Sequence, residues 1–68
     1  MKRVEITFEE KPNFENIKKL IRAPITKTGD KGFIVESKDI TEIIWKISKL
    51  TMENNLRITS LNTLTPSL

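Results

Sequence analysis

Lys31-Gly32-Phe33 begins as an RNA-recognition signature begins on a β-strand, where exposed aromatic rings stack on bases. The pattern then fails. The residue two places after Phe33, which should be aromatic, is Val35, and the first strand-like run turns Glu5 and Thr7 outward where a stacking ring is needed. Gly29 and Gly32 have the GxxG spacing of a KH-type phosphate clamp, but that clamp joins two helices and this segment joins two strand-like runs. A plain hairpin turn accounts for it. Lys18, Lys19 and Arg22 make a basic cluster suited to an anion, yet cations also suit the C-terminal end of a helix dipole. We read them as a solvated face.

Covalent and metal chemistry is narrowly bounded. The 68 residues include no cysteine and no histidine, which removes disulfides, thiolate nucleophiles, His-based triads and the usual zinc ligand sets. The nine carboxylates fall mostly at helix caps and outward strand positions, and none are paired in an apolar setting that would separate their pKa values. No GxxxxGK[ST] loop is present to cradle a nucleotide. The chain is therefore expected to have no enzymatic activity and no cofactor of its own. Lys and Arg number 12 against 9 Asp and Glu, a net charge of +3, and the two signs are interspersed. That excess does not argue for nucleic acid as a partner.

Trp45 is the one large side chain whose position suggests recognition. At helical spacing it lies about 100° from the edge of an isoleucine stripe, and Thr41, Ser48 and Met52 share its side. An exposed Trp-Met pair is the make-up of a docking surface. The candidate surface comprises Thr41, Trp45, Ser48 and Met52, with Leu64 and Leu68 from the end of the chain. The plainer alternative is that Trp45 lies down across the edge of its own sheet or against the neighbouring helix.

Six elements must position these residues. Arg3 to Glu9 alternates, with Val4, Ile6 and Phe8 on one side, as a half-buried strand does. Pro12-Asn13 breaks it, and Asn13 as N-cap with Glu15 in the first turn opens a short helix from Phe14 to Arg22. Its apolar stripe is Phe14, Ile17 and Ile21, flanked by Leu20, and Ala23-Pro24 ends it. Ile25 to Thr28 and Gly32 to Glu36 follow as strands joined by Gly29-Asp30-Lys31. Phe33-Ile34-Val35 is apolar on both faces, as in an inner strand covered on both sides or one that meets a partner.

Asp39 and Glu42 read as a capping box for a helix from Ile40 to Asn54, with Ile40, Ile43, Ile44, Ile47 and Leu50 as its core stripe. Asn54-Asn55 supplies the helix end. Leu56, Ile58, Leu61 and Leu64 mark a last strand whose uneven spacing predicts a bulge. The order strand, helix, strand, strand, helix, strand predicts an α+β, ferredoxin-like βαββαβ domain: a four-stranded antiparallel sheet with both helices on one face. Residues 1–68 make one domain with one small core. No apolar run reaches the roughly 18 residues of a membrane span and no signal peptide is visible, so a cytosolic chain without direct membrane insertion is expected.

The succession Val4-Glu5-Ile6-Thr7-Phe8, the Gly29-Asp30 hairpin, the Ile-rich helix and Leu61-Asn62-Thr63-Leu64-Thr65-Pro66-Ser67-Leu68 resembles the small C-terminal accessory domain of ATP-binding-cassette (ABC) transporter ATP-binding subunits of the drug- and antibiotic-exporter type. In that family a Pro-Ser-Leu of this kind is commonly followed by Glu-Asp-Val-Phe, so the chain is expected to be a fragment of a longer ATPase subunit. The resemblance implies a non-catalytic accessory domain that docks, through the open sheet face or through the Trp45-Met52 side, on the ATPase domain or its dimer mate. ATP and magnesium would belong to the parent ATPase domain, the partners would be that domain and a membrane permease, and the location the inner face of the membrane through the permease. Exposure of an apolar patch outside that context would favour a homodimer. The alternative is a stand-alone ferredoxin-like regulatory module that binds a small ligand at a dimer interface near Gly29-Asp30-Lys31-Gly32.

Overall fold

The structure, a computed structural model, describes residues 2–64. The elements run in the expected order: β1 (Lys2–Phe8), α1 (Phe14–Ile21), β2 (Ile25–Lys27), β3 (Gly32–Ser37), α2 (Ile40–Asn54) and β4 (Ile58–Leu64). The four strands form one antiparallel sheet in the order β2-β3-β1-β4, the ferredoxin-like arrangement. Alternation along β1 decides what lies on each face. Val4, Ile6 and Phe8 are buried under the helices, and the register sets Val4 against Val35 and Ile6 against Phe33 on β3. Ile17 and Ile21 of α1 and Ile43, Ile47 and Leu50 of α2 close this core from above. The Phe33 ring lies 6.0 Å from that of Phe8 at a 31° tilt and meets that of Phe14 edge-on at 6.4 Å, the second an arrangement that aromatic quadrupoles favour.

Each helix starts and stops where side chains allow. The Asn13 carboxamide oxygen accepts from the N–H groups of Glu15 (3.1 Å) and Asn16 (3.4 Å), two of the four donors that a helix start leaves free. Arg22 caps α1 in the left-handed region at φ 54°, so the helix's last residue is Ile21, one before the Arg22 expected from the sequence. Asn55 does the same for α2 at φ 54°, a conformation asparagine tolerates better than most residues. At the start of α2 the Asp39 carboxylate accepts from Glu42 N–H at 3.1 Å. The reciprocal half of the expected capping box is absent. Ser37 Oγ instead accepts from Asp39 N–H at 3.1 Å, and the Glu42 carboxylate pairs with Lys46 one turn on, also at 3.1 Å.

The predicted bulge falls in β4. Ser60 faces Thr7 and Ile58 faces Phe8, leaving Thr59 as the extra residue, and its hydroxyl donates to the Thr7 carbonyl at 3.2 Å. This insertion resets the alternation, so that Ile58 and Leu61 both stand on the helix side. Leu56 precedes the strand rather than joining it and packs against the core from the connection.

Candidate functional site

The four α2 residues of the candidate surface occupy one side of the helix. With 3.6 residues per turn, Trp45 projects roughly opposite the buried stripe of Ile43, Ile47 and Leu50, and Thr41, Ser48 and Met52 fall within about 60° of it. Trp45 is 62% exposed and Met52 81% exposed. The ring therefore does not lie down across the sheet edge or the neighbouring helix, since most of its surface is open to solvent. The Lys49 ammonium approaches the ring, with Nζ 5.6 Å from the ring centroid. Trp45, Ser48 and Met52, with Lys49 and Glu53, border a shallow hollow that is almost wholly apolar.

Leu64 does not belong to this surface. It stands opposite Arg3, whose guanidinium pairs with Glu36 at 3.0 Å on the helix-free side of the sheet. The sheet thus separates Leu64 from Trp45, the shift of alternation at Thr59 being what decides its side. Leu68 lies outside the described residues.

The helix-free face of the sheet is mostly polar. Arg3, Glu5 and Thr7 from β1 are joined there by Glu36 from β3, Thr26 from β2, and Ser60 and Asn62 from β4, with Ile34 and Leu64 as the apolar members. Ile34 accounts for the two-sided apolar character of β3: Phe33 and Val35 enter the core, and Ile34 stays half-buried among polar neighbours. Phe33 itself has no exposed surface, so the ring of the Lys31-Gly32-Phe33 run is unavailable for stacking on a base.

The Gly29-Asp30-Lys31 turn is exposed and closes through Thr28 N–H donating to the Gly32 carbonyl at 3.1 Å. Open space surrounds Gly29, where an added Cβ atom would meet nothing within 4 Å. Lys18, Lys19 and Arg22 are all exposed. Among the described residues no group of three His, Cys, Asp or Glu is placed to hold a metal ion, and no helix is long and apolar enough to cross a membrane.

One feature went unnoticed in the sequence: an open groove between α1 and α2, floored by Leu20 and Leu50 and rimmed by Asn16, Lys19, Lys49 and Glu53. Its signal was present in the i,i+4 pairs Asn16-Leu20 and Lys49-Glu53, which fall on the facing flanks of the two helices. No family model, no curated protein and no solved structure matches the chain.

Proposed function

We propose that this domain is a non-catalytic docking module whose contact surface is the outer side of α2, centred on Trp45, Ser48 and Met52. The observation that carries the reading is the exposure of Trp45 and Met52, two turns apart around an apolar hollow, on a helix whose opposite side already fills the core. Large side chains of this type bury much area for few lost rotamers when a partner covers them. The polar helix-free face is a poorer candidate for that role, which narrows the docking surface to α2.

On the resemblance of the chain to accessory domains of ABC transporter ATP-binding subunits, the partner is an ATPase domain of that class or its dimer mate. The domain would then act in the cytoplasm, at the membrane only through the permease, and ATP and magnesium would bind in the ATPase domain. Titration of the isotope-labelled chain with the ATPase domain encoded in the same reading frame tests this. Expected are resonance shifts confined to Thr41, Trp45, Ser48, Met52 and their neighbours, and at least tenfold weaker binding for Trp45→Ala. An upstream frame without a GxxxxGK[ST] loop, or shifts centred on another surface, would overturn the reading.

A further inference from the structure

The two edges of the sheet are built differently. β2 is three residues long, follows Pro24 and ends on Lys27, features that discourage strand addition. β4 is seven residues long and carries no charge and no proline from Ile58 to Leu64. Leu61 and Leu64 are each 38% exposed along it. An edge of that length and composition is a template for another strand.

Hydrogen bonds at the end of β1 fix which backbone groups on β4 are free to pair. Phe8 N–H donates toward β3, to the Lys31 carbonyl, and Glu9 N–H donates the other way, to the Arg57 carbonyl ahead of β4. Directions alternate along a strand, so Arg3, Glu5 and Thr7 turn their backbone groups to β4, and their partners Leu64, Asn62 and Ser60 turn theirs to β1. Leu61 and Thr63 are left with N–H and C=O aimed outward. A partner that satisfies both must be extended and antiparallel or parallel to β4, which a helix cannot be.

We infer that β4 pairs with β4 of a second copy, antiparallel about a two-fold axis at Asn62, to give a continuous eight-stranded sheet. The composition favours a second copy: a charge-free strand set against itself brings no like charges together, and a two-fold pairing satisfies the same outward groups on both sides. Register follows from the bulge. With Asn62 opposite Asn62, Leu61 faces Thr63 and Ser60 faces Leu64, so pairing stays within residues 60–64 and clear of Thr59. Centring on Leu61 would force Thr63 against the bulged residue. At the axis the two Asn62 residues form a non-hydrogen-bonded pair, whose Cα atoms approach to about 4.5 Å, and their carboxamides can bond each other. This interface does not use Trp45 and stands apart from the docking reading.

The absence of native cysteine makes the test direct. Sedimentation of the wild-type chain should show a monomer–dimer equilibrium below millimolar concentration. Asn62→Cys should oxidise to a disulfide-linked dimer, since about 4.5 Å between Cα atoms suits that bond, and Thr26→Cys on β2 should not. Thr63→Pro removes an outward N–H and no donor to β1, so it should fold as wild type and dimerise at least tenfold more weakly. Trp45→Ala should leave the dimer unchanged. A monomer at millimolar concentration, a dimer that a folded Thr63→Pro chain retains, or a dimer lost in Trp45→Ala would overturn the inference. If Thr63→Pro does not fold, the Asn62→Cys cross-link decides alone: failure to form overturns the pairing.

Discussion

A Cβ atom placed on Gly32 would lie 3.0 Å from the carbonyl oxygen of Ile6, a backbone atom in the centre of the sheet that cannot step aside. Thr28 Oγ1 would be closer still, at 2.8 Å. Because Gly32 has no positive φ, its requirement is space and not conformation. Gly32→Ala should therefore destabilise the domain by about 1–3 kcal/mol, the usual range for overpacking. Gly29→Ala, with open space around it, should be neutral or stabilise by up to about 1 kcal/mol. Urea denaturation of the two variants separates these outcomes.

Two carboxylates at the start of α2 should behave unequally. Asp39→Ala removes the acceptor for Glu42 N–H and should cost about 1 kcal/mol, as lost N-caps do. Glu42→Ala removes only a solvent-exposed partner of Lys46 and should cost no more than about 0.5 kcal/mol. Equal losses in denaturant midpoints would mean that Glu42 closes the box in solution.

The same helix offers a contrast between its two sides. Ile47→Ala opens a cavity beneath α2 and should cost about 2–5 kcal/mol, enough to unfold much of a domain this small. Trp45→Ala and Met52→Ala should each change stability by less than about 0.5 kcal/mol, because both side chains already face water. Thermal melts followed by far-UV circular dichroism measure all three.

Arg3 and Glu36 pair across β1 and β3 in the open. Glu36→Gln should cost less than about 1 kcal/mol at low salt, and the difference from wild type should shrink as salt is added. A salt-independent loss would assign Glu36 a role other than the ion pair.

Most of this fold was legible in the residues because each element carries its own signal. β1 alternates, Asn13 and Asp39 open helices, and Asn55 closes one at the position where a left-handed residue is needed. β2 was the weakest to read because three residues hold no pattern, and its pairing is imposed by β3. Side-chain choices between near-equal partners were not legible. Glu42 can reach back to the cap or forward to Lys46, and only the tertiary surroundings select. The face that Leu64 takes was not legible for a related reason: the bulge was foreseen, but which residue is extra determines the face of every residue after it. The exposure of Trp45 was left open in the sequence, since a helical wheel gives direction without saying what stands beside the helix.

The pairing of β1 with β4 joins Arg3 to Leu64, nearly the whole described chain apart. β1 lies inside the sheet, yet the strand on one of its flanks is the last of the six elements in chain order. During synthesis β1 must therefore wait with that flank unpaired until residues 58–64 leave the ribosome, while its ladder to β3 can form earlier. Closure of so long a loop is slow relative to local contacts, so β4 docking should be the late, rate-setting event in folding. Until then the growing chain presents β1, with Val4, Ile6 and Phe8 along it, as the edge that a chaperone or another nascent chain would meet first.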